Sequence, residues 1–543
     1  MCEQMDDGGR KGKLSSGIYL DPGNKGFREA IRSKIYVDKT GLIAFTNGCI
    51  NTKEKYICVS RPRRFGKSMT LEMLAAYYSC GCDSRELFAG RKIEKDETFE
   101  EHLNKYAVIF LNMQQFLIEA EPGEMTDYLE REVLRELRQR YAGILGEQDR
   151  TLAAALRQIY AETGREFIFL IDEWDCVMRE RPSLEDLQKR YLDLLRNLLK
   201  DQPYVALAYM TGILPVKKYG QHSALNMFWE YSMTDQFALE EYTGFTEEEV
   251  KGLCGTYGMD LIQTSHWYDG YRFRQFQHIY NPRSVVAAMK SHVLSNYWTS
   301  TETYEALKVY IDMDLNGLRS DIVQMLGNGR VKVNTRSFQN DMRNLVTKDD
   351  VLTLLIHLGY VAYDAEAEEA FIPNKEIIME FENAMSVGGW QEVMRVLKAS
   401  ERLLSDTLLC DAQRVAEGLD QAHTEAASIL TYNDENALSC AIGLAYYSAR
   451  KDYKLIRELP TGHGFADIVF LPLPTSKKPA LVIELKYDKN AMTAIRQIKD
   501  RHYTQALEGY SGEVLLVGIN YDKEDRNKRH SCVIERMTLR SGV

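Results

Sequence analysis

No apolar run in this sequence approaches the ~18 residues needed to span a bilayer, so no membrane-spanning helix is expected. The first stretch, with Glu3, Asp6, Asp7, Gly8 and Gly9, lacks the apolar centre of a secretory signal. A flexible N-terminus over residues 1–16 and a cytoplasmic protein are expected. Positive charge is in deficit, with 68 Lys and Arg against 79 Asp and Glu, for a net charge of −11. That excludes a non-specific nucleic-acid coat protein, which would be basic. It leaves a nuclease open, because only the local field at a site matters. Zinc-type and disulfide-type cysteine spacing is absent: the ten cysteines are scattered, and Cys80 and Cys82 are too close for an ordinary bridge. This usage fits a reducing compartment. Internal repeats and low-complexity tracts are also missing.

What remains is ordinary globular composition, 45% hydrophobic and 27% charged over 543 residues. At roughly 100–200 residues per domain this suggests three or four domains. Residues 17–300 alternate short apolar runs with longer helical patterns. Strands are expected at Tyr56–Ser60, Ala107–Asn112, Phe167–Asp172 and Val205–Thr211, with helices at Ser68–Ser79 and Gly123–Tyr141 between them. Near-continuous apolar strands separated by helices predict an α/β domain, a parallel sheet covered on both faces. Residues 301–428 read as a helical, winged-helix-like linking region. Within it, an amphipathic helix at Asp349–Leu358 precedes two short strands, 359–363 and 370–373, around the acidic turn Asp364–Glu369. Residues 429–543 return to α/β. A helix at Asn433–Arg450 leads into strands at Tyr453–Leu459, Ala466–Leu471 and Ala480–Lys486. A helix at Ala491–Tyr510 and a strand at Glu513–Ile519 follow.

The first chemical signal follows the strand Tyr56–Ser60. The loop Arg61-Pro62-Arg63-Arg64-Phe65-Gly66-Lys67-Ser68 can present backbone N–H groups to phosphate oxygens, and the next helix adds the positive end of its dipole. Arg64, Phe65, Gly66, Lys67 and Ser68 are the expected nucleotide-binding residues. Gly66 permits close approach, Lys67 reaches the β- and γ-phosphates, and Ser68 ligates Mg²⁺. Arg61 stands where such loops usually carry their first glycine, and Pro62 stiffens the path. The strand Phe167–Asp172 ends in two acids: Asp172 is expected in the Mg²⁺ shell, and Glu173 is expected to activate the attacking water. Acids also cap ordinary strand-to-helix turns, but both motifs, in this order, favour ATP binding. Thr211 closes a further strand where a polar residue can sense the γ-phosphate, and Arg272 is placed to reach the nucleotide from a lid. Arg61, Arg63 and Arg64 could clamp phosphate or touch a neighbouring domain.

The second signal is Asp467 followed by Glu484-Leu485-Lys486. Side chains two apart on a strand share a face, so Glu484 and Lys486 converge, and a hairpin brings Asp467 beside them. Two carboxylates make a hard oxygen site for Mg²⁺ or Mn²⁺. Lys486 can orient water or stabilise a charged transition state. Glu435 is a candidate outer metal ligand, and Gln497 on the following helix a candidate partner for the lysine or the substrate. Glu458 and His463 are weaker candidates. Lys477, Lys478, Lys486, Lys489, Arg496, Lys499 and Arg501 gather positive charge around this motif. A solvated strand face carrying an incidental ion pair is the competing explanation; the apolar neighbours Ile468, Val469, Val482 and Ile483 speak against it.

These stretches resemble a bacterial family that joins an AAA-ATPase-like domain to a C-terminal domain of the PD-(D/E)xK nuclease superfamily. The resemblance is carried by Tyr36-Val37-Asp38-Lys39-Thr40, the loop Arg61–Ser68, Ile171-Asp172-Glu173-Trp174-Asp175, Thr211-Gly212-Ile213-Leu214 and Gly244-Phe245-Thr246. It continues through Trp267-Tyr268-Asp269-Gly270-Tyr271-Arg272-Phe273, Tyr280-Asn281-Pro282-Arg283-Ser284 and Asp467 with Glu484 and Lys486. Arg283 departs from the aromatic that relatives often carry. The resemblance implies a P-loop ATPase, a helical or winged-helix middle and a restriction-endonuclease-like end, and it makes the missing first glycine a family trait. The expected function is an ATPase that controls a metal-dependent nuclease acting on DNA or RNA, with defence against foreign nucleic acid as a further expectation. A regulatory ATPase whose C-terminal domain binds nucleic acid or a partner without cleaving is the alternative. Expected partners are ATP and nucleic acid, with a homo-oligomer among the expected assemblies and no membrane.

Overall fold

The computed structural model describes residues 17–146, 151–216, 225–234, 238–298, 304–313, 315–339, 345–387, 389–426, 441–461, 464–474, 476–487, 490–500, 507, 510–522, 525 and 530–539. The chain forms two units, each discontinuous in sequence. The first takes the chain up to Gly252 with Tyr271–Ala287 and Val333–Glu368; the second takes Leu253–Gly270, Ala288–Lys332 and the chain from Glu369 onward.

In the first unit five strands form one sheet: β1 (Tyr56–Ser60), β2 (Ala107–Asn112), β3 (Phe167–Asp172), β4 (Val205–Gly212) and β5 (Trp229–Tyr231), in the order β2-β3-β4-β1-β5. Every pairing is parallel. Alternate residues of each strand enter two different cores. Phe167, Phe169 and Ile171 of β3 pack on one side, and Ile168 and Leu170 on the other. Successive strand side chains point to opposite faces, and helices cover both, which is why these strands read as unbroken apolar runs. Each fully buried Leu, Ile or Phe contributes roughly 1.5–3 kcal/mol relative to exposure. The parallel register sets Ser60 beside Gly212 and Asn112 beside Asp172, so the carboxyl ends of the strands lie together. The strand expected at Val205–Thr211 runs on through Gly212, and β5 is an element that the sequence pattern does not announce.

The helix Lys348–Leu358 opens with a capping box between Thr347 and Asp350 and closes on Gly359 at φ +87°. The sequence reading makes it amphipathic. Instead, Asp350 through His357 are all buried, so the helix is covered on its polar side as well. Short strands occur at Ala362–Asp364 and Glu369–Phe371, shorter than the expected 359–363 and 370–373 and shifted into the turn between them, and the latter pairs antiparallel with Val331–Lys332 in the second unit.

The second unit carries helices Leu261–Tyr268, Lys375–Ser386, Gln391–Leu408 and Ala412–Ala426, then a sheet of five strands. These are β6 (Tyr453–Thr461), β7 (Gly464–Pro472), β8 (Ala480–Tyr487), β9 (Gly512–Tyr521) and β10 (His530–Leu539), neighbours in sequence order. Only β8 and β9 pair parallel, as a crossover through the helix Ala491–Asp500 requires. Ile495 and Ile498 of that helix pack on Val469, Val482, Val514 and Leu516. Gly518 is where the helix comes closest: a Cβ there would stand 2.4 Å from the Ala491 carbonyl oxygen. Of the expected helix Asn433–Arg450, residues 433–440 lie outside the described residues, 441–445 are helical, and a 3₁₀ turn follows at Tyr447–Lys451. β10 was not expected.

Candidate functional site

At the carboxyl ends of β1, β3 and β4 three expected residues meet. The Ser68 hydroxyl donates to Asp172 Oδ2 at 2.6 Å, and the Thr211 hydroxyl donates to Asp172 Oδ1 at 2.6 Å. Asp172 is 2% exposed, so these hydroxyls satisfy a carboxylate that burial would otherwise penalise. The loop before them turns through left-handed backbone at Arg64 (φ +68°) and Gly66 (φ +90°), and Gly66 caps the 12-residue helix Lys67–Tyr78. This geometry turns N–H groups inward to form an anion-binding concavity. Lys67 is buried, and its ammonium donates to the Arg61 and Pro62 carbonyls at 2.9 Å each. Burial pushes its pKa down, against the pull of Glu173, Asp172 and Asp175.

Glu173 stands at φ +53°, outside the strand, and pairs with Arg179. Burial raises its carboxyl pKa, while Lys67 and Arg179 oppose the rise. Arg179 also binds Asp175 Oδ2 at 2.9 Å, and the same oxygen accepts from Leu214 N at 2.8 Å and Ile213 N at 3.2 Å. Sequence reasoning missed this pair. Its only signal was the i,i+4 spacing of opposite charges.

The other loop residues divide. Arg61 is no phosphate clamp: it is 1% exposed, donates to Thr243 Oγ1 at 3.0 Å and to the Tyr231 carbonyl at 2.8 Å, and lies over the Phe273 ring. Burial lowers its pKa to about 10. Where this type of loop usually has a glycine, the arginine instead ties the loop to the core. The Phe65 side chain is also turned inward, edge-on to Tyr271 at 5.2 Å, leaving its backbone to the loop. Arg63 is exposed and Arg64 half-buried. Arg272 sits 3.4 Å from Asp364 in an ion pair.

In the second unit, Glu484 and Lys486 of β8 are buried, at 1% and 8% exposure, and pair at 2.8 Å. Gln497, from the helix Ala491–Asp500, donates to the same Glu484 oxygen. The close approach at Gly518 is what lets that helix reach β8 and β9. β7 and β8 pair Ile468 with Ile483, and Asp467 precedes Ile468 on β7, its side chain outside the described residues. Glu458 occupies a place on β6. Glu435 and His463 lie outside the described residues. Among the described residues no group of three His, Cys, Asp or Glu side chains is arranged to hold a metal ion, and no helix is long and apolar enough to cross a membrane.

Two family models match this chain: a predicted AAA-ATPase over residues 23–221, and the PD-(D/E)XK nuclease superfamily over residues 434–531. The chain therefore has an AAA-ATPase-like domain followed by a PD-(D/E)XK nuclease superfamily domain. An uncharacterized protein from the vnfD 5' region of Azotobacter chroococcum mcd 1 is 26% identical over 274 residues, 49% of this chain. The match spans 51% of that relative, about half of its length. Among solved structures, the Walker-type ATPase Paby2304 of Pyrococcus abyssi is similar over 63% of this chain and 94% of its own, at 13% identity and a TM-score of 0.33. The ORC2 protein of Aeropyrum pernix is similar over 67% of this chain and 98% of its own, at 10% identity and a TM-score of 0.30.

Proposed function

We propose that this protein hydrolyses ATP and couples nucleotide state to divalent-metal-dependent cleavage of DNA or RNA phosphodiesters. The ATPase half of the reading is carried by the convergence of Ser68 and Thr211 on Asp172, beside a buried Lys67. Hydroxyl and carboxylate oxygens are the donor set that a hard cation such as Mg²⁺ selects, so these residues fit it. Lys67 would exchange two loop carbonyls for the β- and γ-phosphate oxygens. Glu173 would leave Arg179 and take the proton of the attacking water, and Thr211 would orient the γ-phosphate.

The nuclease half rests on Glu484 with Lys486 and Gln497. A buried charged pair on an apolar strand is costly to keep without a task. Glu484 and Asp467 would hold the metal, with Glu435 as an outer ligand, and their carboxylate chemistry suits Mg²⁺ or Mn²⁺. In each site the cation supplies Lewis-acid neutralisation of phosphate charge. Lys486 would stabilise the charge that develops on the scissile phosphate, and Gln497 would hold Glu484 in place. A cytoplasmic role against foreign nucleic acid, and assembly into homo-oligomers, belong to the same proposal.

The test is a cleavage assay on plasmid, linear and single-stranded DNA and on RNA, with Mg²⁺ or Mn²⁺ and with or without ATP. Wild type is compared with Lys67→Ala and Glu484→Ala. Cleavage lost in Glu484→Ala and altered in Lys67→Ala is the expected result. Phosphate release without cleavage of any substrate would replace this reading with a regulatory ATPase whose C-terminal domain binds without cutting.

A further inference from the structure

Within the second unit, the helices Leu261–Tyr268, Lys375–Ser386 and Gln391–Leu408 and the turn Tyr447–Lys451 enclose a cavity of about 720 Å³. Neither the P-loop residues nor Glu484 and Lys486 line it. That volume falls in the range of sites for small organic ligands, about 300–1,000 Å³.

Its lining combines two chemistries. The first is positive charge. Lys375, Lys398, Arg450 and Lys451 line it, against the acids Glu382 and Glu401. Both acids are engaged: Glu401 pairs with Lys451, and Glu382 accepts from the Tyr447 hydroxyl at 2.5 Å. Among the described residues neither Lys375 nor Lys398 has a carboxylate within ion-pair distance. The Lys375 ammonium is held instead over the indole of Trp267, 4.2 Å from the ring centre. The Arg450 guanidinium lies over the Tyr447 ring and donates to the Leu326 carbonyl. Burial, with the field of Lys375, Arg450 and Lys454 added to it, lowers the pKa of His266 in the same wall to about 4, so this imidazole is neutral at pH 7 and offers no competing charge.

The second chemistry is flat and apolar. Trp267 and Tyr447 line the cavity together with Ile378, Met379 and Met394, and most of these side chains are only half-buried. Half-exposed methionines and a half-exposed tryptophan around a surplus of cations are the setting for a ligand with a planar body and an anionic end. Point charges on flexible lysines, backed by an arginine, suit a phosphate better than a lone carboxylate, because a phosphate carries more charge and more acceptor oxygens.

We propose that this cavity is a second ligand site, distinct from the P-loop, which takes an aromatic phosphate of mononucleotide size. Lys375, Lys398 and Arg450 bind the phosphate, and the Trp267, Tyr447 and methionine surface takes the ring.

The test uses the full-length chain with the P-loop disabled by Lys67→Ala, so that nucleotide binding there does not obscure the second site. AMP and, separately, inorganic phosphate are titrated into it by calorimetry, with Trp fluorescence read in parallel. AMP is expected to bind at one site and to change the fluorescence, and Trp267→Phe is expected to remove that change. Inorganic phosphate alone is expected to bind about tenfold more weakly or worse. Adding Lys375→Gln or Lys398→Ala is expected to weaken AMP by about tenfold each. Lys398 is exposed, so its exchange leaves the fold intact, and a thermal melt verifies this for both variants. Absence of AMP binding in Lys67→Ala, or AMP binding unchanged by both lysine exchanges, overturns the proposal. Phosphate binding as tightly as AMP overturns the aromatic part of it.

Discussion

Ser68 and Asp172 are 104 residues apart in the chain and 2.6 Å apart in space. Their hydrogen bond joins the first turn of the helix Lys67–Tyr78 to the end of β3. Thr211 occupies the other carboxylate oxygen from β4. One buried acid thereby fixes three segments at the carboxyl ends of the sheet.

Lys67→Ala removes the only side chain of the loop whose ammonium is enclosed beside Glu173 and Asp172. Phosphate release from ATP is expected to fall by roughly 10²-fold or more, with weaker nucleotide binding. A steady-state phosphate assay with a parallel binding titration checks both. Release at the wild-type rate would remove Lys67 from the mechanism.

Glu173→Gln keeps size and removes the proposed base. The expected outcome is a kcat lower by roughly 10²–10⁴-fold with nucleotide binding retained. In the wild type, burial raises the Glu173 pKa above the ordinary 4.5, so the acid limb of the kcat profile should lie above that value. A pH–rate profile measures it; a limb at or below 4.5 would assign the proton transfer to another group.

Asp175→Ala leaves Arg179 with Glu173 alone and strands the Ile213 and Leu214 amides in a site where Asp175 is wholly buried. Breaking a buried pair costs about 3–5 kcal/mol. Urea denaturation should show a loss of that order, and a loss within experimental error would mean that water or a neighbour replaces the carboxylate.

His357 links stability to pH. Burial, and secondarily the charge of Arg61, lowers its pKa from 6.5 to about 3. The folded protein keeps the ring neutral, while the unfolded chain takes up a proton below 6.5. The contribution is therefore complete above pH 6.5 and is lost as pH falls from there towards 3. Between pH 7 and pH 5 it should cost on the order of 2 kcal/mol. Denaturation curves at the two pH values for wild type and His357→Gln isolate it, because the difference should shrink by that amount in the variant.

Gly518→Ala would set a methyl carbon 2.4 Å from the Ala491 carbonyl oxygen. The helix carrying Gln497 must then move off the sheet, at about 1–3 kcal/mol. Lower thermal stability is expected, and under the proposed function slower cleavage as well. An unshifted melting curve would show that the backbone yields without cost.

Sequence alone determined the elements whose signal is local. β1 to β4 were legible because a strand buried on both faces needs an unbroken apolar run. The loop from Arg61 to Ser68 was legible because phosphate binding constrains consecutive residues. So was the meeting of Ser68, Asp172 and Thr211, since each stands at the end of such a strand or at the start of the helix that follows. The pairing of Glu484 with Lys486 followed from the two-residue period of a strand. Tertiary structure decided the rest. β5 is three residues long, and the edge strand β10 is partly exposed, so neither carries a strong pattern. Arg61 looks like a phosphate ligand until Thr243 and Phe273 enclose it. The helix Lys348–Leu358 looks amphipathic until the folded chain buries its polar side too. Asp175 and Arg179 acquire their role only when the Ile213 and Leu214 amides arrive beside them. In each case the deciding energy is desolvation by residues far away in the chain, which no local pattern records.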